Sequence, residues 1–271
     1  MQSNRCKHRL NTPLTLSLTS YPARFPTLAL TLRSLLDQTV MPDRTVLWIA
    51  HADYASLPAD VLTLVEHGLQ IEVCDDMRSY KKLIPALHAF PGSAIVTADD
   101  DVFYPPDWLD SLLTAASAAP GAITAHRSHR AKIGSDGRFA PYASWDMAVA
   151  DLKDTPPDLL LFPTGHGGIF YPPGSLDDRV TSPALFQRLC PTADDVWFFW
   201  MGRLRGTPYR GLGQVGQLVG WDGTDETALF VQNWLGNEND RQITAMEDRF
   251  GTLREILIAG GSKACQDATA A

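Results

Sequence analysis

The stretch AIVTADDDVFYPPDWL, residues 94–109, decides the reading of this chain. Ala94 to Ala98 is short, apolar and β-branched, the signature of a buried strand. Pro91-Gly92 breaks the chain before it, and Asp99-Asp100-Asp101 ends it in three consecutive carboxylates. Pro106 to Ala118 follows with helical spacing of its apolar residues. Adjacent carboxylates repel, and a folded site tolerates three when a cation or solvent compensates. At a strand end Asp99 and Asp101 point to the same side, and hard oxygen donors at that spacing suit Mg2+ or Mn2+. The bland alternative is a solvated acidic turn, or a helix start charged to suit its dipole.

Upstream the same rhythm repeats. Leu14 to Leu18 reads as a strand, Phe25 to Leu36 as a helix, and Thr45 to Ala50 as a second strand. Pro58 to His67 is a helix opened by proline and stopped by Gly68, Leu69 to Cys74 a third strand, and Lys81 to Phe90 a third helix. Ile123 to Arg127 offers a fifth strand after the helix behind the aspartates. Alternation of this kind builds a parallel sheet with helices on both faces. Ligands of such sheets bind beyond the carboxyl ends of the strands, so the polar residues after strands one, three and four are the candidates.

The second half is less regular. Ile133 to Pro163 is rich in Gly, Pro and Asp and reads as long loops, Asp194 to Leu204 as a strongly apolar helix, and Met246 to Ile258 as a last helix. Five glycines between Gly211 and Gly223 show no period. No repeat or free linker divides the chain. The expected organisation is one domain in two halves, 1–130 and 131–258, with a flexible tail at 259–271.

The 271 residues carry a formal net charge of −8, which argues against nucleic acid as a general partner. No apolar run is long enough to span a membrane, and MQSNRCKHRLN lacks the apolar stretch of a secretory signal. Cys6, Cys74, Cys190 and Cys265 are scattered, without a C-x-x-C pair, so neither a disulfide framework nor a zinc-thiolate site is expected. The expected location is the cytoplasm, with room for peripheral attachment at the inner face of the membrane.

AIVTADDDVFYPPDWL resembles the D-x-D segment of nucleotide-sugar glycosyltransferases of the GT-A fold, in the manner of family-2-like or exostosin-like members. The resemblance runs from about Leu14 to Leu204. It implies a Rossmann-like, mostly parallel central sheet flanked by helices, with a nucleotide-sugar-binding first half and an acceptor-binding second half. By resemblance Asp101 and Asp99 bind Mn2+ or Mg2+, while Asp99 and Asp100 also serve the ribose side of the nucleotide. The turn Thr19-Ser20-Tyr21-Pro22-Ala23-Arg24 would hold the nucleotide, with Thr19 bonding base or ribose, Tyr21 stacking and Arg24 reaching a phosphate. After the third strand Asp75 or Asp76 would meet the base and Lys81 the diphosphate, against the bland view of a helix-capping acid beside a basic loop.

Thr192-Ala193-Asp194-Asp195 resembles the acidic pair that opens a helix in the acceptor half of these enzymes. In inverting members one of the pair takes the proton of the acceptor hydroxyl, and Asp195 is placed first for this, then Asp194. The same four residues also have capping-box spacing. Gly165-His166-Gly167-Gly168 resembles the segment lining donor sugar and acceptor, which assigns His166, Gly167 and Gly168 to that role. His126-Arg127-Ser128-His129-Arg130 reads first as a surface or salt-bridged basic cluster, and second as a face toward phosphate or an anionic acceptor. Asn233, Trp234, Asn237, Asn239, Asp240 and Arg241 lie where many such enzymes close a loop over the donor. The implied activity moves a sugar, a hexose by type, from a UDP-sugar to a glycan or lipid-linked hydroxyl, as in polysaccharide biosynthesis. Two rivals are a non-catalytic glycan- or partner-binding domain and a Mg2+ phosphatase of haloacid-dehalogenase type, whose D-x-D normally ends the first strand.

Overall fold

The computed structural model describes residues 5–152, 154–213, 218–221, 237–252 and 255. Its centre is a seven-stranded sheet made of β1 (Leu14–Thr19), β2 (Arg44–Ala50), β3 (Leu69–Cys74), β4 (Ala94–Thr97), β5 (Ile123–Ala125), β6 (Ile169–Tyr171) and β7 (Tyr209–Gly211). Their order across the sheet is β3-β2-β1-β4-β6-β5-β7. All run parallel except β6, which pairs antiparallel with β4 and β5. The fold class is therefore α/β, mostly parallel, as expected from the alternation.

Strand period places the core on both faces. In β2, Val46 and Trp48 point to one face and Leu47 and Ile49 to the other, and all four are buried. On the second face Leu14, Leu16 and Leu18 of β1 pack against α1 (Phe25–Leu36), joined by α4 (Trp108–Ala118). The opposite face of β1 carries Thr15 and Ser17, buried polar residues in an otherwise apolar strand. That first face is covered by α3 (Ile84–Ala89), α5 (Pro183–Leu189), α6 (Asp194–Arg205) and α7 (Glu238–Phe250), after a short α2 (Ala59–Leu62) earlier in the chain. Val196 to Met201 in α6 are all buried, because this helix is apolar around its whole circumference. Among the described residues no helix is long and apolar enough to cross a membrane, and Cys6, Cys74 and Cys190 are free thiols.

Several expectations need correction. The second and third helices are each part 3-10: Thr63–His67 extends α2, and Arg78–Lys82 leads into α3. The helix that holds Met246 runs Glu238–Phe250 and so begins before Met246, with Glu238 and Asp240 in an acidic first turn; 253–254 and 256–258 lie outside the described residues. His126, Ser128 and His129 are buried rather than forming a surface cluster. His126 stacks on Trp108, and Ser128–Arg130 is a short strand paired with Leu161–Pro163 inside the supposed loop region. Asn233 and Trp234, Gly216 and Gly223, Cys265 and the tail lie outside the described residues.

Candidate active site

The chain leaves β1 toward β2 and β3, then returns to place β4 on the other side of β1. A crevice forms at the carboxyl ends of strands where the order reverses in this way. Ser17 of β1 pairs with Thr97 of β4, and the Ala98 amide donates to the Ser17 carbonyl at 3.0 Å. The turn after β1 and the aspartates after β4 are therefore neighbours.

Tyr104 pins the aspartates from below. Its fully buried hydroxyl accepts from the Asp99 amide at 2.8 Å. The Thr31 hydroxyl holds the Asp100 carbonyl at 3.0 Å. Arg24 ends a 3-10 turn after β1 and folds back, its Nη1 2.9 Å from Asp101 Oδ2. Asp100 faces Ser20 instead: burial pushes its carboxyl up to about 7, against the Ser20 hydroxyl, with Asp101 adding to the rise. Burial and the Asp99 charge also raise Asp101, against Arg24. The exposed His166 acts electrostatically on both Asp99 and Asp101, lowering the pKa of each.

The second acidic group comes from α6. The helix is entered through Ala193, and neither aspartate caps it. The Thr192 hydroxyl accepts from Gln242 Nε2 at 2.7 Å, so the capping box expected from spacing is not what the two acids serve. Asp195 turns back to the β6 approach, where the Gly165 amide donates to its two oxygens at 3.0 and 3.1 Å. Ile169, Tyr171, Phe198 and Tyr209 line the space behind it. Burial, then the Asp194 charge, push Asp195 up to about 7.

Lys82 joins the two groups. Its ammonium lies 3.2 Å from Asp99 Oδ1 and 3.3 Å from Asp194 Oδ2. Burial lowers its pKa, but Asp194, Asp99 and Asp195 outweigh that and hold it well above the usual lysine value. Its backbone is anchored from the sheet: Ser17 Oγ donates to the Lys82 carbonyl at 2.6 Å and accepts from Trp48 Nε1 at 3.0 Å. Gly165 closes over it. A Cβ there would stand 2.6 Å from Lys82 Nζ, 3.2 Å from Asp195 Oδ1 and 3.7 Å from Asp99 Oδ1.

Other anticipated residues sit apart from this centre. The Lys81 ammonium binds Asp76 Oδ1 at 2.5 Å, and Asp75 and Asp76 are exposed. The Thr19 hydroxyl donates to the Trp48 carbonyl at 2.8 Å. Tyr21 is exposed beside Arg24 in sequence. Gly167 and Gly168 both have positive φ, and a Cβ on Gly168 would meet the Trp108 ring at 2.4 Å. Trp108 requires glycine at 168, while Gly167 is fixed by its φ of +105° and by the Trp108 indole, which donates to its carbonyl at 2.6 Å. Lys82 and Gly165 are the two central residues that were not singled out from the sequence. The available signal was the polar alternation of Thr15 and Ser17, which marks the sheet face where Lys82 is moored.

No family model matches the chain, and no curated protein compared with it is similar. Among solved structures, S. aureus TarS 1-349 is 14% identical, covering 88% of this chain and 72% of that one at a TM-score of 0.49. The same protein in complex with UDP is 14% identical over 73% of this chain and 56% of that one, at 0.45. Glucosyl-3-phosphoglycerate synthase from Mycobacterium tuberculosis, with Mn2+, UDP and phosphoglyceric acid, is 16% identical at a TM-score of 0.33. That match covers 42% of this chain and 43% of the synthase, less than half its length.

Proposed function

We propose that this chain is a metal-dependent glycosyltransferase of the GT-A type, using a nucleotide-sugar donor and an aspartate base. The observation that carries the reading is the Lys82 bridge between the acids after β4 and the acid pair opening α6. Residues far apart in sequence thereby make one site, with a donor side and an acceptor side, at the switch point of the sheet.

The donor side is fit for a divalent cation. Asp99 and Asp101 offer hard oxygen donors, paired with Lys82 and Arg24, and Asp100 Oδ2 is buried without a hydrogen-bond partner. Among the described residues the ion pairs of the five carboxylates Asp99, Asp100, Asp101, Asp194 and Asp195 are with Arg24 and Lys82 alone. Among the described residues no group of three His, Cys, Asp or Glu side chains is arranged to hold a metal ion, so an ion on Asp99 and Asp101 would need water or phosphate oxygens at its remaining positions. Asp99 and Asp101 would hold Mn2+ or Mg2+, which when bound supplies Lewis-acid neutralisation of the leaving diphosphate.

Arg24 and Tyr21 would meet the nucleotide. Asp195, raised toward neutrality and fixed by Gly165, accepts the proton of the acceptor hydroxyl. The hydroxyl oxygen forms a bond to the anomeric carbon as the bond from that carbon to the diphosphate breaks, its electron pair leaving with the nucleotide. Attack from the side opposite the leaving group inverts the anomeric centre. Asp194 and Lys82 keep the base in place and hold its charge in balance.

Calorimetric titration with UDP and then GDP, each with Mn2+ and with EDTA, tests the reading. Wild type should bind one nucleotide only with metal, and Asp101→Asn should lose it. Absence of nucleotide binding in wild type overturns the proposal. Binding without turnover of any nucleotide sugar across an acceptor panel would leave the chain a glycan- or partner-binding domain.

A further inference from the structure

We propose that Arg127 is the anion-binding residue of the acceptor side, so that the acceptor carries a phosphate or carboxylate near the hydroxyl that receives the sugar. The word acceptor rests on the function proposed above; the anion site itself stands on its own geometry.

Three consecutive residues before β6 report on three zones. Thr164 Oγ1 accepts from Arg127 Nη1 at 3.3 Å. Gly165 donates its amide to Asp195. His166 acts electrostatically on Asp99 and Asp101, lowering the pKa of both. Arg127 and the base are thus anchored to adjacent residues of one segment, Thr164 and Gly165, and a molecule whose hydroxyl meets Asp195 would have Arg127 within reach. Burial raises the pKa of the Tyr142 hydroxyl, with Asp195 adding to the rise and Arg127 opposing it, so both charges act on one ring.

The charge pattern sets Arg127 apart from the other cations on this side. Arg130 is paired with Asp158, Lys132 with Asp146, and Arg138 with Glu247 and Asp248. Arg203 is buried over the Phe199 ring, 4.2 Å from its centre. Arg127 is half-buried, and no carboxylate among the described residues lies within ion-pair distance of it. Its one side-chain partner is a hydroxyl. In a chain of net charge −8, a guanidinium left with a neutral partner beside the base is a ready fork for an anionic group.

Nuclear magnetic resonance titration of the whole chain tests this, with UDP and Mg2+ present to occupy the donor side. Inorganic phosphate, acetate and, as a neutral control, glucose are added in turn, following the Arg127 Nε–H and the Gly165 amide. Phosphate, acetate or both should shift these signals saturably, and which of them does so separates a phosphate-bearing acceptor from a carboxylate-bearing one. Arg127→Gln should weaken that binding by roughly tenfold or more, Arg127→Lys should recover part of it, and Arg130→Gln should leave it unchanged. The spectra themselves report whether each variant is folded. The proposal is overturned if neither anion shifts the two signals saturably, or if the Gly165 response persists in folded Arg127→Gln. Failure of UDP to bind would overturn the glycosyltransferase reading alone, because the anion response is read separately.

Discussion

Asp99 and Asp195 are two half-buried carboxylates in the field of the same ammonium, yet their pKa values shift in opposite directions. For Asp99 burial is outweighed by Lys82, with His166 and Arg24 further out, and its pKa is held below the usual carboxylate value. For Asp195 burial is reinforced by Asp194, and its own strong contact is a neutral amide from Gly165. Lys82 spends its hydrogen bond on Asp99 and its closest other approach on Asp194. Burial sets the scale of a shift, while the sign follows from which charge stands nearest. The strand-end acid stays an anion suited to binding, and the helix-start acid stays poised near neutral pH, where a general base works.

Removing the poised acid should have the largest effect. Asp195→Asn is expected to lower kcat by about a hundredfold to ten-thousandfold, with metal-dependent nucleotide binding retained in calorimetry. If nucleotide binding is lost as well, the two acids do not divide their roles as proposed.

Next comes the shared cation. Lys82→Met leaves Asp99 and Asp194 without a counter-charge and should cost about 3–5 kcal/mol of stability, the scale for breaking a buried ion pair. Urea denaturation at neutral pH measures it. Adding Asp194→Asn should return part of the loss, because one of the stranded charges is gone.

Gly165→Ala probes the contact between the two sides. Its Cβ would press on the mobile end of Lys82 rather than on backbone, so the stability cost should stay near 1 kcal/mol. The rate should fall further than the stability, since the displaced ammonium and the amide clamp both bear on Asp195. Equal small effects on both would show that the clamp is only structural.

The finest comparison is made with pH. A base must be ionised, so kcat/KM should rise as pH increases through about 7. Asp194→Asn removes the like charge and frees Lys82 toward Asp195, so the midpoint should move to lower pH. A midpoint that stays fixed or moves upward would show that Asp194 is not what raises Asp195.

Much of this layout was legible in the residues. LTLSL, TVLWIA and AIVTA are strands because apolar and β-branched runs of that length bury on both faces of a parallel sheet. The acids fell where strand and helix signals end, so Asp99 to Asp101 and Asp194-Asp195 could be read as site candidates. β6 and β7 were harder. They are three residues each, and they join the sheet only through pairing with strands distant in the chain. The Ser128–Arg130 segment looked basic and superficial, but His129 is buried with its ring stacked on Phe162 and its pKa down at about 3, a neutral core residue. Side-chain type suggested charge there, and only packing removed it.

By itself the sequence determined the α/β alternation and the places where acids meet strand and helix ends. Both are local properties, written in the period of apolar residues and in the residues that interrupt it. Tertiary structure decided which cation serves which acid. On the 3-10 turn Arg78–Lys82 adjacent side chains diverge by about a third of a turn. Lys81 therefore reaches exposed Asp76, while Lys82 enters the crevice between Asp99 and Asp194. Neighbouring lysines of identical chemistry were separated by the packing of the turn against β1, through Ser17 and the Lys82 carbonyl. That choice rests on contacts between residues remote in the chain, and no window of sequence contains them.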